Sequence, residues 1–349
     1  MMGALRTLSD RLLGRGSAAL TVPPLDGALK PNNRLEDAPP GIPAGAPRAL
    51  VVQDGRVLWA EGTQVMSESG PVAEAAGMIT ALAVMPDGQL AIAAEGQGIS
   101  ISGTVPPTLA GLSCVTALAC DASGALWIAI GSTVHPFADW SRDFLELRRS
   151  GRVLRWTAGS APKVMADRLG FPNGLLPRAD GMVVSEAWAK RLIRLDDSGR
   201  LTQLMEDLPG YPAGMAATPG GGAWLALFAP RSPLLELVLR EPAYRRAMMA
   251  EVDPEFWIAP ALRSGYSFHE PMQGGALKSM GILKPWAPTR SSGLVVELDA
   301  GFVPLQSLHS RAGGKRHGIT SVLETGGVLW ATSTGGNEVL RLDLARGRG

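Results

Sequence analysis

Polar side chains recur at one register of six related segments, at the residue that enters an apolar stretch. The set consists of Arg48, Thr80, Thr116, Asn173, Ala213 and Thr320. It contains no carboxylate, whereas Ca²⁺ takes roughly six to eight oxygen ligands that usually include Asp or Glu. Its guanidinium suits the oxygen atoms of an anionic or carbonyl-bearing ligand. We therefore predict that Arg48, Asn173 and the threonines bind a small molecule, and we expect no metal ion or other cofactor there.

Two further residues, Glu186 and His317, carry side chains that could move a proton in catalysis. Glu186 lies in the apolar run VVSEAW, where burial of an unpaired carboxylate is costly. It therefore acts in a functional site, pairs with a neighbour such as Arg191, or lies at an exposed rim. His317, in KRHGITS, could be a general base, or it is simply solvated on a loop. The sequence has no GxSxG elbow, HExxH helix, phosphate loop or CxxC pair, so serine-hydrolase, zinc-protease and nucleotide-binding functions lack support.

A repeat with six copies positions these residues. Each copy has an apolar stretch, a turn built on glycine and a second apolar stretch: RALVVQDGRVLWAEG (48–62), TALAVMPDGQLAIAAEG (80–96), TALACDASGALWIAIGS (116–132), NGLLPRADGMVVSEAW (173–188), AGMAATPGGGAWLALF (213–228) and TSVLETGGVLWATST (320–334). Turn dipeptides such as Asp54-Gly55 between apolar runs indicate hairpins. Six copies therefore predict an all-β, six-bladed β-propeller whose innermost strands line a central channel.

The repeats define the domain organisation. We predict that residues 45–349 form the propeller and that residues 1–44 form an N-terminal helix and an extended arm. Leu5, Leu8 and Leu12 stand at helical spacing in that segment. The helix either packs on the domain or adheres weakly to a membrane surface.

The fifth blade carries a long insertion at residues 230–292. Ser232 and Pro233 favour the start of a helix there, and helical and irregular structure is expected to follow. The segment 253–292 is rich in aromatic residues and methionine, including Trp257, Tyr266, His269, Met272, Met280 and Trp286. It forms either a lid over the mouth of the propeller or a segment packed against its side.

Composition limits the classes of partner. The 349 residues carry a formal net charge of +1, which argues against a nucleic-acid surface. No apolar run approaches the roughly 20 residues of a transmembrane helix. Cys114 and Cys120 are too few for a disulfide framework, so we expect a cytoplasmic protein. A small-molecule ligand is the expected partner, with a protein partner as the alternative.

Three segments resemble the strictosidine synthase-like family. They are GFPNGLLPRADGMVVSEAWAKRLIRLD (170–196), DLPGYPAGMAATPGGGAWLALFAPRSPLL (207–235) and GITSVLETGGVLWATS (318–333). The first is similar to the F-x-N-G turn that leads into a strand ending in Glu. The second is similar to the following blade, usually L-P-G-Y-P-D-N, and the third to the final blade. The resemblance places the chain in a clan with gluconolactonases, paraoxonase-type arylesterases and plant alkaloid synthases, and it implies a six-bladed propeller with a site at its axis.

The sequence departs from this family at the positions that bind calcium in its hydrolase branches. Those relatives use a Glu on blade one, the Asn of F-x-N-G and the Asp or Asn after G-Y-P. Here Asn173 matches, but Arg48 stands at the position of the Glu, and Ala213-Gly214 replaces the Asp-Asn pair. Ile130 stands where an acidic residue occurs late in blade three. Calcium is implied by the resemblance and disfavoured by the missing carboxylates.

Three functions remain open at this point. The first is a small-molecule hydrolase of the lactone or ester type, with Asn173 polarising a carbonyl and His317 or Glu186 as base. The second is a non-catalytic, metal-free propeller that binds an anionic small molecule or a protein partner. The third is metal-independent condensation of the Pictet–Spengler type, which needs a glutamate for proton transfer. Fold alone does not decide among them.

Overall fold

The computed structural model describes residues 22–267, 269–271, 278–279, 282–283, 290–311 and 313–344. The predicted N-terminal helix with Leu5, Leu8 and Leu12 lies outside these residues, as do Met272, Met280 and Trp286 of the insertion. The described strands form six larger sheets, so the predicted all-β, six-bladed propeller is confirmed. None of the described helices is long and apolar enough to cross a membrane.

Each blade is an antiparallel sheet of three or four strands. The strand nearest the propeller axis, given first for each blade below, is called the inner strand. The strands of blades one to three are Arg48–Gln53, Arg56–Glu61, Gln64–Ser67 and Gly70–Glu74; Ile79–Val84, Leu90–Ala94 and Gly98–Ile101; and Val115–Cys120, Leu126–Ile130, Gly151–Trp156 and Lys163–Leu169. Those of blades four to six are Pro172–Arg178, Gly181–Glu186, Arg191–Leu195 and Leu201–Met205; Gly210–Ala217, Ala223–Pro230, Leu294–Leu298 and Pro304–His309; and Ile319–Thr325, Val328–Ser333 and Glu338–Asp343. The inner strands of consecutive blades contact one another, and the sixth contacts the first, which closes the ring.

The predicted hairpins owe their geometry to residues that accept a positive φ. Asp54 and Gly55 have φ values of 50° and 73°, and Gly326 and Gly327 have 59° and 75°. Two consecutive residues in this region form the turn that matches the twist of adjacent antiparallel strands. The glycine-containing dipeptides therefore fix where each blade's first two strands meet.

The core lies between neighbouring blades and is filled from the second strand of each hairpin. Trp59, Trp127 and Trp224 are fully buried on three of these strands. Two of them keep a polar partner, because Trp127 Nε1 donates to Asp121 Oδ2 at 2.8 Å and Trp224 Nε1 donates to Glu324 Oε2 at 2.7 Å. Large apolar rings with satisfied N–H groups stabilise the blade contacts.

The extended arm takes part in the propeller. Ile42–Pro43 pairs with the last strand, Glu338–Asp343, and forms the outermost strand of blade six. The predicted division between residues 44 and 45 thus separates a strand from its own blade. Two residues are too few for the alternating pattern by which a strand is recognised in a sequence. Arg316 holds the preceding arm in place through backbone carbonyl groups.

The insertion begins as the sequence predicts. Helix Pro233–Arg240 starts after Ser232, whose Oγ accepts a hydrogen bond from Leu235 N at 3.2 Å. A second helix, Pro242–Glu251, follows directly, and a 3-10 turn, Pro254–Phe256, and a hairpin of Lys278–Ser279 with Ile282–Leu283 come after it. A further helix at Trp140–Leu145, in the connection within blade three, has no counterpart among the sequence predictions.

Candidate functional site

The candidate site is a cavity of about 280 Å³ at the propeller axis, into which all six inner strands project. Its lining includes every polar residue of the predicted ring: Arg48, Thr80, Thr116, Asn173 and Thr320. The structure therefore brings together the five residues predicted to bind a small molecule. Whether they bind one remains a prediction.

Backbone irregularities at the start of the inner strands aim these residues at the axis. The pairing register shifts in every inner hairpin close to the residue of the ring. Such bulges bend a strand and redirect a side chain. In blade five the shift extends from Pro212 to Met215, so Gly214 and Met215 line the cavity and Ala213 is buried. Gly174 and Leu175 line it at the corresponding positions of blade four, so the two blades share one register and Ala213 itself does not line the cavity.

Arg48 is the one ionisable residue among the described residues that line the cavity. Its guanidinium carbon lies 5.0 Å from the centre of the Phe137 ring, a cation–π contact. It is half-buried, and burial lowers the pKa of Arg48 from its usual value. A guanidinium starts from a pKa above about 12, so it stays charged. In the part of the chain that the structure describes, Arg48 makes neither a side-chain hydrogen bond nor an ion pair.

The neutral ring residues are largely engaged in joining blades. Thr116 Oγ1 donates to Pro172 O of the next blade at 2.6 Å, and Asn173 Nδ2 donates to Pro212 O at 3.3 Å. Thr320 Oγ1 is 2.5 Å from Thr334 Oγ1 in its own blade. A hydroxyl has a single proton to donate. Thr116 therefore offers a ligand acceptor lone pairs, and Arg48 is left as the principal donor.

These groups do not fit a calcium ion. No carboxylate is found among the described residues that line the cavity, and the Arg48 charge would repel a cation. The described residues also contain no cluster of three or more His, Cys, Asp or Glu arranged to hold a metal. The polar lining groups are one guanidinium with neutral hydroxyl and amide groups.

Aromatic residues form one wall of the cavity, and the sequence predictions missed them. Trp140, Phe171, Trp188 and Phe228 line it alongside Phe137. The ring centres of Phe171 and Trp188 lie 4.6 Å apart, and those of Trp140 and Phe228 lie 5.7 Å apart in an edge-to-face arrangement. A signal was present in the sequence, since Trp188 and Phe228 each close a repeat after its second apolar stretch.

Glu186 does not line the cavity. It is fully buried, with Oε1 accepting from Gly170 N at 2.6 Å and Oε2 accepting from Arg191 Nε at 2.6 Å. This is the pairing with Arg191 that was left open as the alternative to a catalytic role. In the described structure, Glu186 fastens the turn before the fourth inner strand.

His317 is buried outside the cavity rather than solvated on a loop. Its Nδ1 lies 2.7 Å from Ser291 Oγ, and its Nε2 lies 2.7 Å from Arg311 O. A carbonyl oxygen only accepts, so Nε2 carries the proton. Burial lowers the pKa of His317, which favours the neutral ring. Both ring nitrogens are therefore occupied, and the structure does not bring His317 to the ring of polar residues.

The insertion reaches the mouth of the cavity. Leu262 lines the cavity, and Trp257 is buried in the core with the Arg142 guanidinium 5.3 Å from its ring centre. The backbone of Leu262 packs so closely on blade six that a Cβ on Gly335 would lie 1.8 Å from Leu262 O. The described part of the insertion therefore forms part of the cavity wall.

Comparison with known proteins supports a distant relationship. No protein-family model matches the chain. Adipocyte plasma membrane-associated protein of Danio rerio is 28% identical over 157 residues, which cover 37% of this chain and 38% of that protein. Strictosidine synthase-like protein 6 of Arabidopsis thaliana is 26% identical over 228 residues, which cover 64% of this chain and 53% of that protein. The chain thus spans between about a third and about a half of the length of these curated relatives.

A solved structure provides the comparison of fold. A gluconolactonase from Xanthomonas campestris matches with a TM-score of 0.50 and 15% identity, over 89% of this chain and 99% of that one. Likeness at this identity concerns the fold and does not extend to the activity. The resemblance drawn from the sequence is confirmed: this chain is a six-bladed β-propeller that resembles the strictosidine synthase-like proteins and shares the fold of gluconolactonase-type propellers.

Proposed function

We propose that this propeller binds a small anionic molecule on Arg48 in its axial cavity, without a metal ion and without catalytic turnover. One observation carries the proposal: an arginine without an ion-pair partner faces a cavity whose other described lining residues are neutral. The guanidinium is half-buried, and it has no counter-ion among the described residues. An anionic ligand supplies that counter-ion.

The hydrogen-bonding capacity of Arg48 supports the same conclusion. A guanidinium has five N–H donors, and no described side chain or carbonyl accepts from them here. Phe137 covers the guanidinium at 5.0 Å but offers no acceptor oxygen. A carboxylate could accept two parallel hydrogen bonds from the guanidinium, and such charged bonds contribute about 1.5–3 kcal/mol each.

Hydrolysis of a lactone or ester stays a prediction that the cavity supports less well. Arg48 and Asn173 could polarise a carbonyl group, but attack by water needs a general base within hydrogen-bonding reach. The two residues predicted for that role, Glu186 and His317, are held by other partners. No carboxylate, imidazole or thiol occurs among the described lining residues. The same shortage weighs against condensation chemistry, which needs a glutamate.

Calorimetric titration with small carboxylates and their primary amides tests the proposal. We expect the acids to bind and the amides not to bind, and we expect Arg48→Met to weaken the acids at least about tenfold. Arg341→Met is the matched control, because Arg341 also lies over an aromatic ring, 4.9 Å from the centre of Trp330, but belongs to an outer strand. Equal binding of acid and amide, or unchanged binding in Arg48→Met, would refute anion binding. Multiple turnover of aryl esters or lactones would refute the non-catalytic part.

A further inference from the structure

Given that Arg48 binds an anion, as proposed above, we infer that the ligand is a small aromatic monocarboxylate. Its carboxylate lies on Arg48, and its ring lies against the aromatic wall made by Trp140, Phe171, Trp188 and Phe228. The number of charges in the cavity, the chemistry of this wall and the size of the space each lead to this class.

The single charge of the cavity favours a carboxylate over a phosphate. Arg48 is the one cation among the described lining residues. Sites for phosphate groups usually add a helix N-terminus or a set of converging backbone N–H groups to their basic side chains. Few neutral donors are left here, since Thr116 donates its single proton to Pro172 O and Asn173 keeps one amide N–H after it donates to Pro212 O. One planar guanidinium matches one carboxylate.

The aromatic wall favours a flat ring over an alkyl chain. The ring centres of Trp140 and Trp188 are 6.1 Å apart, and the Trp188 and Phe228 centres are 6.3 Å apart with the planes at 68°. These spacings are typical of tilted and edge-to-face packing, so a ligand ring can add further contacts of the same type. Met78 and Met215 also line the cavity and can place sulfur against a ring.

The walls of the cavity are held in place, which limits the size of the ligand. Trp188 Nε1 donates to Asp143 Oδ1 at 2.8 Å, and the backbone N–H of Phe137 donates to Glu95 Oε1 at 3.2 Å. The cavity volume of about 280 Å³ lies just below the lower end of ligand pockets, about 300–1,000 Å³. A ligand with one ring and a short acid side chain meets this limit.

Four probes separate ring, charge and acid type: phenylacetate, hexanoate, phenylacetamide and phenyl phosphate. Binding is measured by calorimetry, and quenching of tryptophan fluorescence reports occupancy because Trp140 and Trp188 line the cavity. We expect phenylacetate to bind about tenfold more tightly than hexanoate. Phenylacetamide and phenyl phosphate should bind at least about tenfold more weakly than phenylacetate.

Variants assign these preferences to residues. Phe228→Leu should weaken phenylacetate about three- to tenfold while it leaves hexanoate within about twofold, because only the aromatic contact is lost. Arg48→Met should weaken both acids, and Arg341→Met should weaken neither. If Arg48→Met does not fold, as judged by near-ultraviolet circular dichroism, Arg48→Lys replaces it. That variant keeps the charge but loses the planar fork, so weaker binding of both acids is again expected.

The outcomes distinguish the ligand class from the proposed function. Hexanoate binding as tightly as phenylacetate, or phenyl phosphate binding more tightly, would overturn the aromatic monocarboxylate. Anion binding would still stand in that case if Arg48→Met abolished it. Absence of binding by all the acids, or binding that does not depend on Arg48, would overturn both.

Discussion

Arg316→Met tests how the N-terminal arm closes the ring of blades. The Arg316 guanidinium donates to the backbone carbonyl oxygens of Leu35 at 2.5 Å and Ala38 at 2.7 Å. It also donates to Pro39 O at 2.8 Å and to Glu338 Oε1 at 2.9 Å. One side chain thus joins the arm to the strand with which the arm pairs. Methionine has a comparable length but no N–H groups, so the substitution removes these bonds without leaving a large void.

The expected cost follows from the burial of the two charged groups. Removing one partner of a buried ion pair costs about 3–5 kcal/mol. Arg316 is buried, but 18% of the Glu338 side chain is exposed, so water can partly solvate the carboxylate that is left. We therefore expect Arg316→Met to lower the free energy of unfolding by about 3 kcal/mol, the lower end of that range.

Urea unfolding and limited proteolysis with trypsin measure this effect. A released arm should be cleaved faster at Arg34, which precedes the residues that Arg316 holds. Arg341→Met is the control, because its ion pair with Glu68 is half-exposed on both sides and should contribute less than about 1 kcal/mol. If Arg316→Met behaves like Arg341→Met in both assays, the arm is not held by these bonds and the reasoning fails.

Three other substitutions test residues around the cavity. Glu186→Gln leaves Arg191 without its anionic partner, so we expect the free energy of unfolding to fall by about 1–3 kcal/mol. Ligand affinity measured by calorimetry should not change. Lost affinity at full stability would instead place Glu186 in the site. Burial lowers the pKa of His317 below its usual 6.5, so its contribution to stability is complete above that pH and declines as the pH falls. Urea titrations of His317→Gln should therefore show a shallower loss of stability below pH 6.5 than the wild type, and an equal loss would contradict this. Gly335→Ala places a Cβ 1.8 Å from a backbone oxygen of the insertion, so proteolysis within the insertion should become faster. Gly220→Ala is the control, because the space around Gly220 is open. Equal rates of proteolysis in the two variants would contradict the close packing.

The parts of the fold that were predictable are those with local signals. The two positive φ values at Asp54-Gly55 follow from residue type, and six hairpins with a glycine of positive φ in the turn define the number of blades. The outermost strand of blade six was missed, because Ile42–Pro43 is fixed by the distant Glu338–Asp343 strand and by Arg316. A strand of two residues carries no pattern of its own.

The candidate site was predictable to the extent that it follows the repeat. The register placed Arg48 and Asn173 at the axis, and the structure places both on the cavity wall. In blade five the ring residue Ala213 is buried, and Gly214 and Met215 line the cavity as Gly174 and Leu175 do in blade four. The surroundings of Glu186 were left open because the position of a side chain between two blades depends on packing, which spacing along the chain does not determine.

The ring residues divide into those that build the propeller and the one that remains available. Thr116 donates to the carbonyl oxygen of the following blade, and Asn173 does the same one blade further on. Their side chains are therefore needed to join blades whether or not a ligand is present. Arg48 makes no such bond in the described structure, and it lies on an aromatic ring that cannot accept its donors in the plane of the guanidinium. A half-buried charge that lines the cavity without joining blades is therefore the group on which our proposal of ligand binding rests.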